Sequence, residues 1–299
     1  LYPDTEQYHC FHCGAHGNAV SLYARRTGLS YANAYHELEA DRMLHFPLPN
    51  VPKTPEREPA SIEKRDAVYR AMLQLLPLSA EHHQNLLHRG LSEQKIRGNS
   101  YRTLADGKEL RDSIAAQLSA RFDLNGIPGF YFRDGTWRLC AYSGLLIPVR
   151  DADGRMQGIQ IRRDSAERMK YVWLSGAGRP CGTPARSWVH VTGNRAKATA
   201  VITEGPLKGD AASALSGDTL FLCVPGVSAI KYLPETLENL HLTAVYEAFD
   251  MDKLRNPQVV AARKRLRQMI ADCGLPCRTL LWNETCNGID DYLASQKIC

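Results

Sequence analysis

The chain has 299 residues and a mass of 33.4 kDa, 44% hydrophobic and 23% charged, which is ordinary globular composition with material for about two cores. Its 22 glycines, 16 prolines and 9 cysteines exclude collagen-like, wholly disordered and disulfide-stapled classes. The net charge of +5 comes from the first two-thirds of the chain, while the last third is mildly acidic, a balance suited to a polyanion-binding surface beside a carboxylate cluster.

No uncharged apolar run approaches the roughly 18–20 residues of a membrane helix. The longest candidate, Thr219 to Ile230, is interrupted by Pro225 and Gly226. Leu1–Gln7 is polar and has no signal-peptide pattern. The odd number of cysteines, with Cys140 and Cys223 in apolar, strand-like contexts, points to buried thiols and a reducing cytoplasm. A soluble cytoplasmic protein with no membrane partner is the expectation. Because the first residue is Leu1 inside an apparent strand, the chain is expected to be a fragment.

In chain order, residues 1–42 open with a Cys10-Phe11-His12-Cys13 pair. Asn18 is placed to cap a helix from Ala19 to Thr27 that Gly28 stops, and Ser30 to cap a second, reaching about Arg42. Residues 43–60 are rich in proline and read as a semi-rigid linker. Residues 61–195 form a mixed segment. Helical spacing runs from Ser61 to Arg121, with Ser79 and Ser92 as caps and Gly90 as a terminator. From Gly129 the period becomes two: Asp134-Gly135 joins one hairpin and Asp151-Ala152-Asp153-Gly154 a second. From residue 196 to 299, short apolar strands (198–203, 219–224, 242–249, 277–282) alternate with helices (207–215, 258–273), which implies a parallel sheet covered on both faces.

In such sheets, reactive groups lie beyond the carboxyl ends of the strands. Here one strand ends at Glu204-Gly205 and another at Asp250-Met251-Asp252, and Asp290-Asp291 follows the last strand. Asp250 and Asp252 can share one cation, with Glu204 completing the site. Hard oxygen donors of this kind suit Mg²⁺ or Mn²⁺.

The segments Val201-Ile202-Thr203-Glu204-Gly205, Val224-Pro225-Gly226 and Phe249-Asp250-Met251-Asp252 resemble, in order and spacing, the Toprim domain shared by DnaG-type primases, topoisomerases and several nucleases. Upstream, Tyr8 to Asn18 is similar to the second half of the primase zinc ribbon. Leu145 to Asp151 with Gly154-Arg155, Gly158, Arg162 and Lys170-Tyr171 is similar to the primase basal subdomain. Together they resemble bacterial DnaG-type primases, most closely the primase-like proteins of plasmids, phages and other mobile elements.

The resemblance implies an α+β and α/β architecture: a partial zinc ribbon with helices (1–42), a linker, a basal subdomain (61–195) and a Toprim domain (196–299). It implies synthesis of short RNA primers on a single-stranded DNA template from nucleoside triphosphates, with a replicative helicase as a candidate partner. Glu204, Asp250 and Asp252 take the catalytic and metal-ligand roles, with Asp290 as an outer ligand. Arg150, Arg155, Arg162, Arg163, Lys170 and Lys208 are candidates to hold template or triphosphate. Cys10 and Cys13 supply half of a zinc site, so Zn²⁺ is expected only where a further pair lies upstream. The pattern usually has an acid four residues after the Toprim glutamate. Here Lys208 stands there, with Asp210 two residues on. The competing readings are a Toprim nuclease using the same acids, and a non-catalytic single-stranded-DNA-binding accessory protein.

Overall fold

The computed structural model describes residues 7–9, 16–41, 57–165, 169–251, 257–283 and 285–296. The chain divides into two compact units, Leu1–Thr54 and Pro55–Cys299. Among the described residues no helix is long and apolar enough to cross a membrane.

In the first unit, β1 (Gln7–His9) pairs antiparallel with β2 (His16–Asn18), followed by α1 (Ala19–Thr27) and α2 (Tyr31–Asp41). Asn18 caps α1 as expected, its Oδ1 accepting the Ser21 N–H at 2.9 Å, and Gly28 ends the helix at φ 74°. Cys10 and Cys13 lie outside the described residues, as does most of the proline-rich linker.

The second unit begins with α3 (Ile62–Gln74), α4 (Ala80–His88) and α5 (Glu93–Asn99), capped by Ser61, Ser79 and Ser92. Strand β3 (Arg102–Leu104) then interrupts the segment that helical spacing had claimed, before α6 (Lys108–Ser119). Three residues are too few to display a period, so only pairing with a neighbour reveals that strand. The first hairpin forms as expected from β4 (Phe130–Arg133) and β5 (Thr136–Leu139), with Asp134 and Gly135 both at positive φ (52° and 76°) as its two-residue turn requires.

The second hairpin pairs β6 (Gly144–Arg150) with β7 (Met156–Arg163), and β3 and β8 (Tyr171–Trp173) complete a four-stranded antiparallel sheet, order β3-β6-β7-β8. Its central strand β6 is apolar on both faces because both are covered. Leu146 joins Tyr69, Met72, Ile114 and Leu118 on one side, while Leu145 and Ile147 join Leu86, Leu91 and Ile96 on the other.

The last third forms a five-stranded sheet, order β13-β12-β10-β11-β9. Strands β10 (Thr199–Glu204), β11 (Phe221–Val224), β12 (Ala244–Glu247) and β13 (Cys277–Thr279) run parallel, and β9 (His190–Thr192) adds an antiparallel edge beyond the predicted strands. Side-chain alternation assigns the two faces. Ile202, Leu222 and Val245 pack with residues of α8 (Leu233–Glu238) and α9 (Pro257–Asp272), whose Leu266 and Ile270 are fully buried. Val201, Phe221 and Cys223 face α7 (Pro206–Leu215) and α10 (Ile289–Gln296). This is the mixed α+β and α/β architecture expected from the sequence.

One charged residue of this sheet has a role the sequence did not suggest. Glu247, on β12, is completely buried yet ionised: Arg263 Nη2 reaches it at 2.8 Å, Arg267 Nε at 2.7 Å and Thr279 Oγ1 at 2.6 Å. Burial pushes its carboxyl upward, but these donors outweigh it and hold the pKa below the ordinary value. Arg267 lies on the exposed face of α9, as the sequence pattern of Lys264, Arg265 and Arg267 suggests, and its guanidinium also reaches inward to the buried carboxylate.

Candidate active site

Glu204 closes β10, and the chain turns at once into α7 through Gly205. That residue sits at φ 84°, where a side chain would be strained, and Pro206 opens the helix. Backbone pairing of β12 ends at Glu247, after which Ala248 N still donates to Ile202 O at 2.8 Å. Asp250 follows, 7% exposed. Met251 N donates to Asn287 O at 3.0 Å, tying this loop to the one that leads into α10. Asp290 and Asp291 occupy the first turn of α10, where the helix dipole favours negative charge. Asp291 Oδ2 also accepts the Gly288 N–H at 3.1 Å.

These elements surround one cavity of about 670 Å³. Glu204, Asp250, Asp290 and Asp291 contribute its acids, Arg89, Lys170 and Lys208 its cations, and Tyr171 and Trp173 its aromatic wall. The sequence proposed three of those acids and two of those cations, and the fold brings them together. Asp252 lies outside the described residues.

Two ion pairs join acids and cations of the cavity. Lys208 Nζ donates to Asp250 Oδ1, and Arg89 Nη1 to Asp290 Oδ2 at 3.4 Å. Burial, and then the neighbouring Asp291, raise the pKa of Asp290 above the ordinary aspartate value, with Lys208 and Arg89 pulling against them. Asp290 Oδ1 is buried and has no hydrogen-bond partner. An orphaned anionic oxygen beside further carboxylates is the donor chemistry that a hard divalent cation satisfies. Among the described residues, which do not include Asp252, no group of three or more acids, cysteines or histidines converges closely enough to hold a metal ion.

The other candidate cations sit elsewhere. Arg150 donates to the carbonyls of Gly154 and Asn99, both at 3.1 Å, which braces the hairpin against the end of α5. Arg155 pairs with Asp151 (2.8 Å), Asp153 (2.6 Å) and Glu63 (3.0 Å). Arg162 is half-buried within β7, and Arg163 lies 4.4 Å over the Tyr142 ring, beside a separate shallow pocket shared with Arg111 and Asp106.

Asp210 does not replace the acid missing at position 208. It is 4% exposed and does not line the cavity. Its carboxylate accepts from Tyr101 OH, from Thr192 Oγ1 at 2.7 Å and from His190 Nε2 at 3.1 Å. Arg150 N donates to His190 Nδ1 at 2.9 Å, which leaves the ring proton on Nε2 to face Asp210. Burial pushes the Asp210 carboxyl upward, but His190, Tyr101 and Thr192 more than reverse this, and its pKa is lowered.

Sequence reasoning missed Arg89, Gln160, Trp173 and Asn287 as lining residues. Arg89 ends α4 and reads as an ordinary helix-terminal cation; it reaches Asp290, 201 positions away, only through the tertiary fold.

A family described as a domain of unknown function (DUF3854) matches residues 188–298. The DNA primase of Haemophilus influenzae is 32% identical over 96 residues, covering 30% of this chain and 16% of that protein. The DNA primase of Chlamydia pneumoniae is 27% identical over 181 residues, covering 57% of this chain and 30% of that protein. The chain thus spans less than a third of either relative.

Among solved structures, the zinc-binding and RNA polymerase domains of the Aquifex aeolicus primase align with a TM-score of 0.60 at 16% identity, covering 98% of this chain and 71% of that one. The DnaG primase catalytic domain bound to single-stranded DNA aligns at 0.56 and 15% identity, with 79% of each chain covered. The RNA polymerase domain of Mycobacterium tuberculosis DnaG, solved with a double-stranded DNA carrying an overhang, aligns at 0.56 and 17% identity, covering 80% of this chain and 81% of that one. The acid-lined cavity is therefore set in the fold of the DnaG primase catalytic core, and the chain is similar in both sequence and fold to bacterial DnaG-type primases.

Proposed function

We propose that the chain is a primase-like nucleotidyltransferase that makes short RNA primers on single-stranded DNA. The observation that carries this reading is the single cavity in which Glu204, Asp250 and Asp290 face Arg89, Lys170 and Lys208 at the carboxyl end of a parallel sheet. The primase names of both curated relatives support it.

In the reaction, a nucleotide 3′-hydroxyl attacks the α-phosphate of the next triphosphate and pyrophosphate departs. Glu204 is placed to orient the attacking hydroxyl and accept its proton. Lys170 and Arg89 offer positive charge to the triphosphate, and Tyr171 and Trp173 offer ring faces to a base. Asp250 and Asp290, with Asp252, would hold Mg²⁺ or Mn²⁺, which when bound neutralises charge on the phosphates. Zn²⁺ at Cys10 and Cys13, completed by two further ligands, would belong to the first unit and serve template binding.

The test is incorporation of labelled nucleoside triphosphates on single-stranded DNA with Mg²⁺ or Mn²⁺. Short products made by the full chain and reduced at least about 100-fold in Asp250→Ala are expected. Degradation of the template that disappears in Asp250→Ala would replace this reading with the nuclease. DNA binding without either activity would replace it with the accessory protein.

A further inference from the structure

Lys208 is the third residue of α7, in the turn where the helix dipole disfavours a cation. Its side chain is nevertheless only 21% exposed, with the ammonium on Asp250, whose side chain is 10% exposed. The stem is confined as well. A Cβ at Gly288 would lie 3.3 Å from Lys208 Cε, so the Gly288 backbone closes over the methylene chain. Behind the helix, a Cβ at Gly209 would lie 2.0 Å from Cys223 Sγ, so α7 sits hard against β11. The ammonium is thus fixed at the cavity wall by the packing of its own helix.

Resting on the reading above, we propose that Lys208 competes with the divalent cation for the Asp250 carboxylate and so sets how tightly the site holds that ion. A divalent ion at Asp250 meets a unit positive charge held on Oδ1 of the same carboxylate, and the two cations repel each other across it. Each cation therefore weakens the other's hold on Asp250. Asp290 differs: Arg89 reaches only Oδ2, and Oδ1 remains open. The ammonium thus contacts Asp250 directly and acts on Asp290 only through its field.

The experiment is Mn²⁺ binding to the full chain, read from the electron paramagnetic resonance signal of free Mn²⁺. Asp250→Asn should weaken the binding. Lys208→Met should bind Mn²⁺ about tenfold more tightly than the unaltered protein, since a like charge in contact has been removed. Lys264→Met, which removes an equal charge from an exposed position on α9, should stay within about twofold. Lys208→Arg keeps the charge and should remain near the unaltered value, which separates charge from any loss of fold in the Met variant. If Asp250→Asn leaves Mn²⁺ binding unchanged, the metal site and this inference fall together. If Asp250→Asn weakens binding while Lys208→Met matches Lys264→Met, the inference alone falls.

Discussion

Replacing Asp210 should unfold the protein more readily than replacing any acid of the cavity. The side chain accepts from three donors, Tyr101 OH next to β3 and His190 Nε2 and Thr192 Oγ1 on β9, of which Tyr101 and His190 are buried and Thr192 half-buried. Asp210→Ala leaves all three without their acceptor. A buried unsatisfied polar group costs about 1–3 kcal/mol, and water entering the vacated space reduces the sum, so a loss of about 3–5 kcal/mol is expected. Asp210→Asn keeps an accepting oxygen but must turn an amide toward one of the donors, which should cost about 1–2 kcal/mol. Urea unfolding followed by the fluorescence of the four tryptophans measures both. The reasoning would be refuted by an Ala variant within about 1 kcal/mol of the unaltered protein, or by an Asn variant as damaging as the Ala variant.

The same carboxylate gives a pH dependence. Its folded pKa is lowered, so its stabilising contribution is complete above the unfolded aspartate value of about 4 and is lost as pH falls through the lower folded value. The stability difference between the unaltered protein and Asp210→Asn should be full at pH 6 and shrink below about pH 4 in urea titrations at stepped pH. Gly288→Ala would place its Cβ 2.5 Å from Asp290 Oδ1. Nucleotide incorporation should fall at least about tenfold while unfolding free energy changes by no more than about 1 kcal/mol, because the clash is with the end of one side chain rather than with backbone.

The sequence made the C-terminal sheet readable because its strands are short, apolar and separated by helices, and because Glu204 and Asp250 stand just past strand ends. The caps at Asn18, Ser61, Ser79 and Ser92 were local chemistry of the kind that survives folding unchanged. Strands β3, β8 and β9 were not legible, since each has three residues and is defined only by its partner. The basic residues divided for a similar reason. Charge alone made Arg150, Arg155 and Lys170 equivalent, and only the fold showed that Arg150 and Arg155 have their hydrogen bonds satisfied within and around their own hairpin, whereas Lys170 lines the cavity. Asp210 looked like a displaced site acid because it is near Glu204 in sequence, but it lies on a different side of α7 from Lys208.

Helix α7 also bears on how the chain is made. Leu207 packs with Leu86, Leu91, Ile96, Tyr101, Leu145 and Ile147, residues that leave the ribosome well before it. The antiparallel sheet has a core of its own on the opposite face, built from α3, α6 and β7, and can collapse during synthesis. Until α7 emerges, the cluster that Leu145 and Ile147 form with Leu86, Leu91, Ile96 and Tyr101 lacks Leu207 and leaves part of its apolar surface uncovered. A nascent chain stalled between the second hairpin and α7 would therefore be more adhesive than the finished one, and completion of a single ten-residue helix covers the gap that Leu207 fills.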